Sequence, residues 1–273
     1  NYALSRNQAR YLDGLSPEYS DEDLEYYRRV CNGEQLEGMA KYKYFNTNWH
    51  DTMLRDAAPQ YRTNLSVSGG NARARYYVSF SYLRQEGLFD TKWTEWNEGY
   101  STQEVLNRYN LRSNLTTEFG RLKLGANVGF TRSEINSPSD ANEGFLFADL
   151  IRFPNYYFNR HEENGIFFGN NYKYGGYSVS PLAGLMGGGI NKNDHEYLTG
   201  TFTADFEIIK GLKARAVLGG EVRHEHRFTS HKTYQYVVDN GAEHSDISTA
   251  STGGNTKREA DDWTKKVTFV TAQ

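Results

Sequence analysis

From Tyr61 onward apolar and polar residues alternate with a period of two, the spacing of a β-strand with two unlike faces. Tyr61, Thr63, Leu65, Val67 and Gly69 fall on one side, and Arg62, Asn64, Ser66 and Ser68 on the other. Gly69-Gly70-Asn71 is a turn signal. The next strand then sets Ala74, Tyr76, Val78, Phe80 and Tyr82 against Arg75, Tyr77, Ser79 and Ser81. Tyr109, Leu111, Ser113 and Leu115 oppose Arg108, Asn110, Arg112 and Asn114. After a turn near Phe119-Gly120, Leu122, Leu124, Ala126, Val128 and Phe130 oppose Lys123, Gly125, Asn127, Gly129 and Thr131. Leu198 to Ile208 and Leu212 to Val222 repeat the pattern around Ile209-Lys210-Gly211. A weaker seventh strand begins near Asp262, with Trp263, Val267 and Phe269 on one side and Thr264, Lys266 and Thr268 on the other; Lys265 interrupts its apolar side.

Alternation alone also fits a soluble sheet with one wet face. Three features point to a membrane barrel instead. The strand segments run for about 9–12 residues, as tilted membrane strands do, whereas soluble strands have about 5–6. The joins alternate strictly between tight and long. Gly69 to Ala74, Thr117 to Leu122 and Ile208 to Leu212 are tight, while Gln85 to Asn107, Ser133 to Glu196 and His224 to Asp261 are long. That is the asymmetry of periplasmic turns and extracellular loops. Tyr61, Tyr82, Tyr109, Phe130 and Tyr197 stand near the long-loop ends, where an interfacial aromatic girdle belongs. The expected fold is all-β: an antiparallel transmembrane β-barrel meander, part of a larger barrel, with long extracellular loops at 85–107, 133–196 and 224–261. Membrane lipid faces the apolar side.

The first 60 residues lack this period. Ser20-Asp21-Glu22-Asp23 reads as a capped helix start, and Asn32-Gly33 as its stop, so a short helix is expected from Asp21 to about Val30. A polar, aromatic loop through Tyr42, Tyr44 and Trp49 follows.

Composition agrees. Aromatic residues make up 15% of the 273 residues, with 21 Tyr and 26 Gly, which suits pleated surfaces and turns. The mean hydropathy is −0.78, as low as a barrel's polar–apolar average can be, and no run reaches the roughly 20 apolar residues of a membrane helix. A net charge of −3 gives no reason to expect nucleic acid. The single cysteine, Cys31, excludes an internal disulfide and has no adjacent base to activate it. The chain opens at Asn1 with no signal peptide and closes at Gln273 inside a strand pattern, so an internal piece of a longer protein is expected.

No catalytic constellation emerges, and neither an enzyme nor a cofactor is expected. His224, His226 and His231 form the histidine cluster, read as solvated side chains at a loop root and not as a metal site. The glycine run from Gly184 to Gly189 lacks the Lys-Ser/Thr of a phosphate loop. Glu162-Glu163 and Asp261-Asp262 are adjacent carboxylates, unlike a glycosidase pair facing across a cleft. Loop aromatics are the candidate contacts for a substrate or partner: Trp93, Trp96, Tyr156, Tyr157, Tyr172 and Tyr174. Sugar rings and peptides pack on such faces. A short helix is expected at Ala141 to Arg152.

Several ordered segments resemble the SusC/RagA family of TonB-linked outer-membrane proteins of Bacteroidetes. They are Ser16-Pro17-Glu18-Tyr19-Ser20, Asn46-Thr47-Asn48-Trp49, Ala58-Pro59-Gln60, Asn64 to Gly70, Tyr76-Tyr77-Val78-Ser79, Gln85-Glu86-Gly87, Arg108 to Leu115, Leu122 to Asn127 and Ile209 to Leu212. Ser180-Pro181 departs from the family's more frequent Asn-Pro, and the last forty residues match poorly. The resemblance implies a plugged barrel of up to 22 strands, with residues 1–60 as the leader after the plug and 61–273 as partial barrel wall. It also implies import of glycans or peptides (an oligosaccharide or peptide substrate), a SusD-like surface lipoprotein, and TonB engaging a plug and TonB box that these residues do not contain. A passive porin or adhesin barrel and a secreted carbohydrate-binding β protein are the alternative readings.

Overall fold

The structure, a computed structural model, describes residues 2–37, 40, 44–90, 101–139, 167–171, 185, 188–231, 235–239, 247–251 and 257–272. The chain divides into two units: residues 1–54, 141–188 and 233–254 form one, and 55–140, 189–232 and 255–273 form the other. In chain order the elements are α1 (Tyr2–Leu12), α2 (Asp21–Cys31), α3 (Trp49–Met53), β1 (Gln60–Gly70), β2 (Ala74–Glu86), β3 (Val105–Phe119), β4 (Leu122–Pro138), β5 (Phe167–Asn171), β6 (Gly189–Ile209), β7 (Leu212–His231), β8 (Gln235–Asp239), β9 (Ile247–Ser251) and β10 (Lys257–Ala272).

The second unit is one seven-stranded antiparallel sheet in the order β1-β2-β3-β4-β6-β7-β10. All three tight turns form as expected, and Gly120 and Gly211 hold φ of 59° and 91° there, a region costly for residues with a Cβ. Each of the first two turns also locks onto the next strand: the amide of Glu118 donates to the Arg73 carbonyl at 2.7 Å, and that of Glu207 to the Arg121 carbonyl at 2.9 Å. The register is staggered accordingly. The row that starts at the β1–β2 turn with Gly70 and Arg75 crosses Thr116, Gly125, Thr203 and Val217. On β6 and β7 it lies well above the Ile209–Leu212 turn. Such a stagger is what the strand tilt of a barrel requires.

Two like-faced surfaces run across the sheet. Leu65, Phe80, Leu111, Phe130, Leu198 and Val222 are paired in one continuous row. Leu115, Ala126, Phe202 and Leu218 lie two rows nearer the tight turns on the same face. These side chains stay open: Leu65 is 65% exposed, Phe202 53% and Leu218 50%. Rows of the opposite face carry Ser79, Arg112, Gly129, Thr199 and Glu221, or Glu118, Lys123, Asp205 and Arg215. No helix among the described residues is long and apolar enough to cross a membrane, which leaves spanning by strands open.

Three expectations need correction. First, the strands outrun the hydrophobic pattern. β4 continues to Pro138, β6 begins at Gly189, β7 reaches His231 and β10 begins at Lys257. The connections expected at 133–196 and 224–261 therefore narrow to 139–188 and 232–256. Apolar alternation ends where the apolar environment ends, whereas the ladder of backbone hydrogen bonds does not depend on side chains. Second, Tyr197 is not part of the outward girdle. It pairs with Thr131 and Arg223 on the polar face, and its hydroxyl donates to Glu221 Oε2 at 2.7 Å.

Third, the phase of β10 is inverted relative to its neighbour. Trp263, Val267 and Phe269 pair with Glu225, Glu221 and Gly219 on the polar face, while Thr264, Lys266 and Thr268 join the apolar one. The Phe269 ring fits because Gly219 has no side chain; a Cβ there would sit 2.0 Å from Phe269 Cζ. Lys266 pairs with Val222, one row below the polar His224. Its alkyl stem can lie on that edge with the ammonium reaching the interface.

In the first unit, α2 matches the expected helix. The Asp23 amide donates to Ser20 Oγ at 3.1 Å and the Ser20 amide donates back to Asp23 Oδ2 at 2.8 Å, closing a capping box. α1 and α3 were not expected: α1 has no acidic residue in its first turn, and α3 is one short turn. Asn7 ties α1 to the segment before α2. Its Oδ1 accepts from the amides of Glu18 and Tyr19, both at 2.9 Å, and its Nδ2 donates to the Tyr19 carbonyl at 2.7 Å. The Tyr44 hydroxyl donates to Asp23 Oδ1 at 2.7 Å. Burial first, then this bond to a carboxylate, pushes the Tyr44 hydroxyl well above the usual phenol range.

Cysteines placed at Val78, Phe80, Leu124, Val128, Phe202 and Phe206 should react in membranes with a lipophilic probe. Cysteines at Arg75, Arg112, Lys123, Asp205 and Arg215 should not; the reverse preference would invert the assignment of faces. Separately, Asn7→Ala strands two amides and a carbonyl, about 1–3 kcal/mol by the cost of unmade hydrogen bonds. Amide hydrogen exchange in 2–12 should accelerate correspondingly while the β1–β4 amides keep their rates.

Candidate functional site

The polar face of the sheet and its extension past the apolar rows carry the chemistry of the described residues. Strand periodicity alone places these side chains, since every second residue of β2, β3, β4, β6 and β7 turns to this face. Small groups bond across it: Asn110 Nδ2 donates to Ser81 Oγ at 3.1 Å, Thr131 Oγ1 to Asn110 Oδ1 at 3.0 Å, and Arg108 Nε to Ser133 Oγ at 3.1 Å. Farther along, the Arg223 guanidinium lies 5.3 Å from the Tyr197 ring centroid, a cation–π contact. Glu225 stands 3.6 Å from His195 Nδ1 and 3.5 Å from Arg227. Near the tight turns, Lys123 pairs with Glu118 at 3.0 Å and Arg215 with Asp205 at 3.5 Å. The face is polar and carries more cations than carboxylates, suited to polar cargo passing along it or a polar domain packed against it.

The opposite face changes character abruptly beyond Tyr82 and Tyr109, whose rings stack with centroids 5.1 Å apart. The same row continues through Arg132, Glu196, His224 and Thr264, and the next through Glu134, Asp194, His226 and Asp262. Arg132 holds this charged collar together, at 2.9 Å from Glu134, 3.4 Å from Glu196 and 3.8 Å from Asp194. Such ion pairs are affordable only in water. The collar therefore marks where the sheet leaves the apolar layer and projects beyond it. In the other unit, β5, from 139–188, pairs in parallel with β8, from 232–256, and β8 pairs with β9. Two chain segments expected as separate loops thus share a small sheet. The Tyr-Val-Val run of β8 was its sequence signal.

The aromatic candidates Trp93, Trp96, Tyr156, Tyr157, Tyr172 and Tyr174 all lie outside the described residues, as does the helix expected at 141–152. The histidine cluster separates. His224 and His226 share the collar face, where His224 Nδ1 is 2.9 Å from Thr264 Oγ1 and His226 Nδ1 is 2.6 Å from Asp262 Oδ1. No group of three potential metal ligands converges among the described residues. Asp261 and Asp262 belong to β10 and face opposite ways, so they are strand residues and not the loop charges expected.

Comparison with known proteins gives these faces a setting. The chain is 24% identical over 216 residues to TonB-dependent receptor P26 of Formosa agariphila, a match covering 77% of this chain and 20% of that receptor. Its fold superposes on the RagAB peptide transporter with a TM-score of 0.52 at 18% identity, over 86% of this chain and 32% of that one. On the RagAB peptide importer in its open-open state the TM-score is 0.54 at 16% identity, over 93% and 36% of the two chains. The chain has the fold of outer-membrane β-barrel wall and is similar in sequence to a TonB-dependent receptor. No protein-family model matches it. The chain spans about a fifth of the receptor it matches and about a third of the transporter chains. As outer-membrane β-barrel wall, the sheet has apolar rows suited to lipid on one face and polar rows suited to a lumen on the other.

Cysteines at Arg132, Glu134 and Asp194 should react on intact cells with a membrane-impermeant maleimide, and cysteines at Ala126 and Phe202 should not. A silent collar would mean that the sheet does not project beyond the membrane.

Proposed function

We propose that this wall belongs to a transporter that imports an oligosaccharide or a peptide across the outer membrane, energised through TonB and served by a SusD-like surface lipoprotein. The observation that carries the reading is the asymmetry of the sheet. One end has only tight turns, and the other has strands extended past the charged collar toward the chain segments 139–188 and 232–256. A wall of that form supports a large extracellular apparatus, which is where a lidding lipoprotein and a substrate would bind. The name of the RagAB structures, a peptide transporter, favours a peptide or an oligomer of comparable size over a small ion. The polar face, rich in Arg and Lys, supports passage of polar cargo or contact with a plug. No step of covalent chemistry is assigned to the chain.

Residues 139–188 are the segment to which the reading gives a task, through Tyr156, Tyr157, Tyr172 and Tyr174. In the protein that carries this chain, deleting 155–176 should leave the barrel assembled while weakening lipoprotein capture or uptake about tenfold or more, a loss of 1.4 kcal/mol or greater. Loss of assembly with normal uptake by the surviving protein would make the segment structural. Collapsing the proton-motive force should abolish uptake by the wild type; unchanged uptake would identify a passive pore instead.

A further inference from the structure

The lipid-facing side of the sheet is not evenly filled. Ala126, Ala204 and Ala216, together with the backbone between them, floor a depression of about 410 Å³. Its walls include Leu124, Phe202 and Leu218. Ala204 pairs with Ala216 and with Leu124, so the hollow lies across β4, β6 and β7 on the half of the apolar face nearest the tight turns. Its lining is almost wholly apolar.

Two cations stand at that end. Arg121 occupies the turn between β3 and β4, two residues before Lys123 and immediately before Leu122, the first apolar-face residue below Leu124. Lys210 occupies the turn between β6 and β7. The two turns are neighbours: Arg121 Nη1 donates to the Ile208 carbonyl at 3.1 Å, and the Glu207 amide donates to the Arg121 carbonyl at 2.9 Å. Both cationic side chains are exposed, and neither has a carboxylate partner among the described residues. Of the carboxylates nearby, Glu118 and Asp205 are held by Lys123 and Arg215 on the lumen side, and Glu207, opposite Lys213, falls on that same side.

We propose that the hollow and the two turn cations form a binding site for an anionic phospholipid of the periplasmic leaflet. One acyl chain lies in the alanine-floored depression, and the phosphate of the headgroup meets Arg121 and Lys210. An acyl chain matches the depression in polarity and reach, and an anionic headgroup matches the two cations of the adjoining turns. A second copy of the protein would have to bring its own anions to the same two turns. The site rests on the barrel reading, since it requires the tight turns to face the periplasm and the apolar rows to face lipid.

The test uses the protein that carries this chain, extracted from outer membranes in mild detergent and studied by native mass spectrometry. Dioleoylphosphatidylglycerol and dioleoylphosphatidylcholine are added at equal concentrations. The wild type should retain phosphatidylglycerol about tenfold over phosphatidylcholine, as two cations beside an anionic headgroup imply. Arg121→Gln with Lys210→Gln should bring the two lipids near parity; both positions are exposed, and the barrel assays below report whether losing the Arg121–Ile208 hydrogen bond disturbs the wall. Ala204→Leu with Ala216→Leu should lower retention of both lipids by filling the hollow with side chains that still suit a lipid face. Equal retention of both lipids by the wild type would overturn the site. So would unchanged retention in the filled variant, or a dimer that the filled variant dissociates. Heat-modifiable mobility and resistance to carbonate extraction report on the barrel itself. Their loss in the wild type would refute the barrel reading, while their persistence with equal lipid retention would refute the lipid site alone.

Discussion

Leu65, Phe80, Leu111, Phe130, Leu198 and Val222 stand side by side across the sheet, and the described residues leave them largely open. A continuous apolar surface of this kind is unfavourable in water, at roughly 25 cal/mol for each Å² left exposed. Soluble sheets solve the problem with a second layer. Here the layer is the hydrocarbon of the membrane, and that substitution sets the other requirements. Every backbone group at membrane depth must be paired, and the antiparallel ladders pair β2, β3, β4, β6 and β7 on both sides, with one register shift between Glu207 and Ile209. Every charge must be placed on the other face or beyond the apolar rows.

The stagger follows from closing such a sheet into a barrel. Neighbouring hairpins slide along one another, and the tight turns carry the slide by bonding their own carbonyls to the next strand, as Arg73 does to Glu118 and Arg121 to Glu207. A consequence is that a horizontal level in the membrane does not coincide with a row of paired residues. Lys266 shows the effect, since its row is apolar through β7 yet lies next to the charged collar. The same geometry brings two turns together under the Ala204–Ala216 hollow, although their residues are far apart in the chain.

Extension past the membrane is the feature that connects the wall to function. The ion pairs of Arg132 show an aqueous environment on a face that is apolar a few residues earlier. Within the other unit, the parallel pairing of β5 with β8 joins the chain segments 139–188 and 232–256.

Much of this was legible in the sequence. Period-two alternation identified all seven wall strands, and Gly-containing turns identified their pairing order, because a two-faced strand and a tight turn are both local consequences of residue type. The Ser20–Asp23 capping box was local in the same sense. What depended on distant partners was not legible. The true ends of β4, β6, β7 and β10 lie in polar sequence whose strand state is maintained by neighbouring strands and not by side-chain pattern. The inverted phase of β10 depends on Gly219 admitting Phe269 from another strand. Tyr197 looked like a girdle residue from its position in the chain, but its partners Glu221 and Arg223 come from β7. The charged collar, the shared sheet of β5 and β8 and the alanine-floored hollow each combine residues from separate strands. The sequence by itself determined which residues alternate and where the chain turns tightly; register, stagger and phase belong to the assembled sheet, because they are set by hydrogen bonds and packing between segments that no local pattern relates.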